Sequence, residues 1–142
     1  PADRTRAATI HAGDIDPRAC AATRANALAA GVGEIVRVTK LDATRLPPQP
    51  AGTVIVANPP YGQRLGAGDD LRGLYFGLGE SLKTAARGCT AWLLAGDLTL
   101  LKLVPMRPSR RIVLFNGPIE CRLVRYDIRA AEDPHGGAAA AP

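Results

Sequence analysis

Asn58, Pro59, Pro60 and Tyr61 stand directly behind the apolar run TVIVA (53–57), and their types and order suit one kind of chemistry. An amine attached to an sp² centre is a poor nucleophile because its lone pair is delocalised. Acceptors placed on its N–H groups favour the geometry in which that lone pair can attack. Asn58 offers a side-chain carbonyl, and a proline of fixed φ behind it can aim a backbone carbonyl at the same amine. Tyr61 adds a flat face on which a planar group can stack, worth roughly 1–3 kcal/mol for a nucleobase. Asparagine, proline and glycine also favour turns, so NPPYG is readable as an ordinary exit from a strand as well.

Such a hook needs a rigid strand beneath it and neighbours on the same rim. TVIVA has the unbroken apolar character of a central parallel strand buried on both faces. ATIHAG (8–13) predicts a strand ending at Asp14, and EIVRVT (34–39) a second one, followed by Leu41 and Asp42. Asp16 before Pro17 predicts a helix start, and Gly31 its stop. A second helix begins at Asp69 or Asp70, carries Leu71, Leu74, Tyr75, Leu78 and Leu82 on one face, and stops at Gly88. TAWLLA (90–95) reads as another buried strand, DLTLLKLV as a short helix, and RRIVLF with IECRLVRYDI as an antiparallel hairpin turning at Asn116, Gly117 and Pro118. The order predicts a doubly wound α/β sheet with an antiparallel edge. Ligands of such sheets sit at the carboxyl ends of the strands, which gathers Asp14, Asp42 and the hook on one rim. An acid after one strand suits ribose hydroxyls, and an acid after the next suits an adenine amino group. Each aspartate alone also reads as an N-cap or loop residue.

The 142 residues fit one α/β domain. No apolar run reaches the ~20 residues of a membrane span and PADRTRAA lacks the apolar stretch of a signal peptide, so the expected location is the cytoplasm. Cys20, Cys89 and Cys121 lack metal-ligand spacing and read as free buried thiols, and with His11 and His135 the only histidines no metal site is expected. The formal charge of +5, with arginine supplying 15 of 18 basic residues, favours a polyanionic partner, although it also fits a compositional bias of the source.

NPPY resembles the catalytic motif of class I S-adenosylmethionine (SAM)-dependent amino-methyltransferases. The longer string NPPYGQRLG, with GDIDPRA upstream and FNGPIECRL downstream, is similar to the bacterial 23S ribosomal RNA guanine-N2 methyltransferases, and the likeness runs from about Ala8 to Ile128. The resemblance implies a Rossmann-like sheet with a C-terminal hairpin and SAM as cofactor. It implies cofactor contacts from Asp14, Ile15, Asp42 and Asn58, and acceptors for the target amine at Asn58, Pro59 and Pro60. It further implies base stacking on Tyr61, a substrate-side loop with Gln63 and Arg64, and a structural turn at Asn116 and Gly117. Fuller chains of that family carry an RNA-binding THUMP module before the catalytic domain.

One departure from the pattern stands out. The family's first strand and its glycine-rich GxG loop precede the GDID segment, and GVG (31–33), GAG (66–68) and GLG (77–79) all lie in the wrong context to replace it. In the family's sheet that strand lies between those ending at Asp14 and Asn58. Residues 1–129 are therefore expected to form the C-terminal part of a catalytic domain, incomplete and inactive alone, and AAEDPHGGAAAAP (130–142) a disordered tail. Methylation of DNA adenine N6 or of protein glutamine N5, or a noncatalytic remnant acting as a basic binding module, stays open at this point.

Overall fold

Six strands form two sheets rather than one in the computed structural model, which describes residues 9–61 and 70–130. The chain divides into two units, one ending at Leu46 and the other starting at Pro47. The first holds β1 (Ile10–Asp14), α1 (Pro17–Ala29) and β2 (Val36–Lys40). The second holds β3 (Val54–Ala57), α2 (Leu71–Ala85), β4 (Thr90–Ala95), α3 (Leu98–Leu101), β5 (Arg110–Asn116) and β6 (Ile119–Asp127). Among the described residues no strand of the first unit pairs with a strand of the second.

In the first unit β1 and β2 pair in parallel, with Ile10 opposite Val36 and Asp14 opposite Lys40. Their crossover is α1. The Asp16 carboxylate caps it by accepting from Arg18 N at 2.8 Å, Pro17 occupies the first turn where an amide would lack a partner anyway, and Gly31 follows its end. The buried Cys20 thiol of α1 reaches the carbonyls of Asp14 and Thr39, both at 3.4 Å, and so ties the helix to the ends of both strands.

The second unit is a mixed sheet in the order β3-β4-β6-β5. β3 and β4 run parallel, and β6 lies antiparallel to both β4 and β5. Alternation along paired strands puts Ala91, Leu93, Ala95, Val124 and Tyr126 on one face. That face is the buried one, and with Tyr75, Leu78 and Leu82 of α2 it makes the core of the unit. Gly79 in α2 is needed for close packing, since a Cβ there would lie 2.4 Å from Pro105 Cδ. The GLG segment is thus part of a helix, as its position in the sequence suggests.

The expectation for TVIVA needs correction. β3 is an edge strand with β4 as its one neighbour among the described residues, and Val54 and Val56 are 63% and 72% exposed. Burial of a strand on both faces depends on what covers it, and only Ile55 and Ala57 turn to the face that carries the core of this unit. The hairpin loop forms at the expected site, with Asn116 paired to Ile119 and Gly117 at φ +61° between them. The tail lies outside the described residues apart from Ala130, as do residues 66–68 and Asp69.

Candidate active site

The hook leaves β3 at its carboxyl end. Asn58 is exposed, Pro59 buried, Pro60 half-buried and Tyr61 only 6% exposed. Three residues of the second unit, Gly96, Asn116 and Cys121, contact the tyrosine. Gly96, the residue immediately after β4, lies so close that a Cβ on it would stand 2.5 Å from Cε2 and 2.8 Å from Cδ2 of the ring. From the hairpin, Asn116 Nδ2 donates to the Tyr61 hydroxyl at 3.3 Å, and Cys121 Sγ lies 3.6 Å from the same oxygen. The ring is therefore clamped along one edge and tethered at its tip.

With Tyr61 fixed, and two prolines limiting φ behind Asn58, the first residue of the hook has little freedom. Neither the Asn58 carboxamide nor the Pro59 carbonyl takes a hydrogen bond from any described residue. Asn58 thus presents an exposed carboxamide at the tip of a constrained segment, with the Pro59 carbonyl behind it as a second acceptor that no described residue engages.

In the first unit, Asp14 ends β1 and Asp42 follows β2, so two carboxylates lie past the ends of neighbouring parallel strands, joined by the bond from Leu41 N to Asp14 O at 2.9 Å. Each divides its oxygens in the same way. Asp14 Oδ1 accepts from Asp16 N at 2.8 Å, and Asp42 Oδ1 accepts from Thr44 N at 2.9 Å and Thr44 Oγ1 at 2.7 Å. The second oxygen of each takes no hydrogen bond among the described residues. The Thr44 hydroxyl first, and its amide second, lower the Asp42 pKa from the ordinary 3.8 and keep the group ionised. Asp42 is thus the N-cap of a 3₁₀ turn, Ala43–Arg45, and still has an acceptor to offer. Ile15, next to Asp14, is 62% exposed and gives this rim an apolar surface.

The structure therefore brings Asp14, Ile15 and Asp42 to one rim, and gathers Asn58 to Tyr61 with Gly96, Asn116 and Cys121 on another. Gln63 and Arg64 lie outside the described residues. Asn116, expected to be only a turn residue, also donates to the hook. Gly96 went unread, although inspecting the residues just past the carboxyl end of each strand, applied to β4, leads to it. Among the described residues no group of three His, Cys, Asp or Glu side chains could hold a metal ion, and no helix is long and apolar enough to cross a membrane.

Comparison with known proteins adds a family match. Residues 2–125 match the model of UPF0020, the RMKL-like methyltransferase domain. A ribosomal RNA large subunit methyltransferase K/L from Syntrophotalea carbinolica is 40% identical over 119 residues, 81% of this chain but 17% of the relative. Among solved structures, the SMU.472 protein, a candidate methyltransferase crystallised with SAH, superimposes at a TM-score of 0.78 with 22% identity over 87% of this chain and 32% of its own. A protein described as a predicted N6-adenine-specific DNA methylase from Listeria monocytogenes aligns at a TM-score of 0.70 with 26% identity, over 82% of this chain and 30% of that one.

Proposed function

We propose, for a chain that belongs to the UPF0020 family of RMKL-like methyltransferase domains, that it works within a larger cytoplasmic enzyme methylating a guanine N2 amine of 23S ribosomal RNA. The observation that carries this reading is the constrained Asn58 and Pro59 pair, with Asn58 exposed and neither its carboxamide nor the Pro59 carbonyl hydrogen-bonded to a described residue. A guanine flipped from its RNA context, at a cost of a few kcal/mol, presents an exocyclic amine with two N–H groups. Asn58 Oδ1 and the Pro59 carbonyl accept one each, which turns the lone pair out of conjugation. The backbone of Pro60 holds the hook stiff, and Tyr61, buried at 6% exposure, anchors it from within rather than offering an open face for the base; the sequence likeness assigns Gln63 and Arg64 to the substrate side.

The residues present fit SAM as the methyl donor. Asp14 and Asp42 each keep one carboxylate oxygen for a hydroxyl or amino donor, and exposed Ile15 suits the face of an adenine. When bound, SAM supplies an electrophilic methyl group on a sulfonium. Asp14, Ile15 and Asp42 would hold its adenosine half, and the chain spans 17% of the length of relatives such as the Syntrophotalea carbinolica protein. An RNA-binding THUMP module elsewhere in the same polypeptide completes the proposal.

The hook alone serves an adenine N6 amine equally well, and the likeness to a predicted DNA adenine methylase favours that second reading. The ribosomal RNA enzymes are closer in sequence and favour the first. In the full-length enzyme, Asn58→Ala is expected to lower turnover roughly 10²- to 10³-fold while RNA binding stays nearly intact, as for loss of one preorganised polar group at a reacting centre. Turnover within threefold of wild type would refute a role for the Asn58 carbonyl.

A further inference from the structure

A second candidate site lies on the second unit, where α3, the segment that follows it and the β5-β6 hairpin enclose a groove of about 400 Å³. Its floor is apolar, with Leu98, Met106 and Val124 among the lining residues, and the charged groups that line it are Lys102, Arg111 and Arg122. Arg122 is engaged by Glu120, but Lys102 and Arg111 are exposed and take no ion pair among the described residues. The nearest acid on α3, Asp97, is turned inward on its own helix cap, accepting from Thr99 N at 2.7 Å and Thr99 Oγ1 at 2.6 Å. Two unpaired cations therefore sit above an apolar floor.

The same sheet face extends this surface. Register places Arg111, Val113 and Phe115 of β5 beside Val124, Arg122 and Glu120 of β6, all pointing one way. Val113 is 52% and Phe115 70% exposed, so the edge strand offers a cation and an aromatic ring four residues, or about 13 Å, apart. A protein surface made of unpaired cations alternating with exposed apolar and aromatic groups is the composition that single-stranded nucleic acid binds, with phosphates on the cations and bases stacked on the rings. We infer that this groove and strand bind a single-stranded segment of the RNA substrate away from the target base, with Lys102 and Arg111 on its phosphates and Phe115 under one of its bases. The choice of RNA as occupant rests on the proposed function.

The test is the fluorescence anisotropy of a labelled, mixed-sequence single-stranded RNA 12-mer titrated with the 142-residue chain at several salt concentrations. Lys102→Glu with Arg111→Glu should weaken binding at least tenfold and reduce the slope of log affinity against log salt by about 1.4, two phosphate contacts at ~0.7 each. The control, Arg87→Glu with Arg129→Glu, makes the same charge change at two exposed arginines that do not line the groove and should cost less than threefold. Phe115→Ala should weaken binding about 5- to 20-fold and leave the salt slope unchanged. If the glutamate pair fails to fold, Lys102→Gln with Arg111→Gln should give the same change of slope with a smaller loss. Equal losses for both charge-reversal pairs, or RNA affinity unchanged while a bound protein partner is lost, would overturn the inference. Nucleoside analysis of the methylated product judges the function separately, so failure of the groove and failure of the guanine-N2 reading are told apart.

Discussion

Replacing Gly96 by alanine should dislodge the Tyr61 ring, and with it the hook. The added methyl would lie 2.5 Å from Cε2, 2.8 Å from Cδ2 and 3.2 Å from Ile119 Cγ2. Carbon atoms rest at roughly 3.5–4.0 Å, so the ring must retreat by about 1 Å. It cannot swing freely, being 6% exposed and tethered through its hydroxyl to Asn116 and Cys121. Overpacking of this kind costs about 1–3 kcal/mol, and a 1 Å misplacement of a positioning element can cost up to about 10²-fold in rate. Stability is read by urea denaturation and turnover by methyl transfer in the full-length enzyme. Tyr61→Ala removes the obstacle, so in that background Gly96→Ala should cost less than ~0.5 kcal/mol. A Gly96→Ala enzyme with unchanged stability and turnover, or an equal penalty with and without the tyrosine ring, would refute the clamp.

Tyr61→Phe should retain most activity, because the hydroxyl contacts with Asn116 and Cys121 are both long, whereas Tyr61→Ala should lose roughly 3–5 kcal/mol of stability and most turnover; equal damage from both would assign the function to the hydroxyl. Tyr75 is fully buried and its hydroxyl has no hydrogen-bond partner among the described residues, with burial first and Asp97 second raising its pKa. Tyr75→Phe should therefore be neutral or stabilising by about 1–2 kcal/mol in urea denaturation, and a loss of 1 kcal/mol would reveal an unseen partner. Because Thr44 lowers the Asp42 pKa in the folded chain, the Asp42 cap contributes fully above the unfolded value near 3.8 and fades as pH falls through the lower folded value. A carboxyl NMR titration checks this, with Thr44→Val expected to raise the Asp42 pKa; an unmoved titration would contradict it.

What the sequence disclosed was chiefly local. The Asp16-Pro17 start of α1, the apolar stripe of α2, the strand at 90–95 and the turn at Gly117 each depend on a few neighbouring residues, and each formed where expected. Composition alone misread β3 as buried on both faces, because TVIVA has the same composition whether a strand lies on one side of it or on two. The seat of Tyr61 was hidden for a related reason. Its partners come from residues 35 to 60 positions later, and only the β4-β6-β5 pairing brings Gly96, Asn116 and Cys121 to the hook. Asp14 and Asp42 fell between these cases. Their strands were legible, but only the structure shows that each carboxylate caps its loop with one oxygen and keeps the other available.

The central claim is that Asn58 and Pro59 orient a guanine amine for methylation. Its most direct test is transfer of a labelled methyl group from SAM to large-subunit ribosomal RNA by the full-length enzyme, followed by digestion and nucleoside analysis. Label is expected in N2-methylguanosine, lost roughly 10²- to 10³-fold in rate with Asn58→Ala. Label recovered instead as N6-methyladenine or methylglutamine, or N2-methylguanosine formed at an undiminished rate by the Asn58→Ala enzyme, would contradict it.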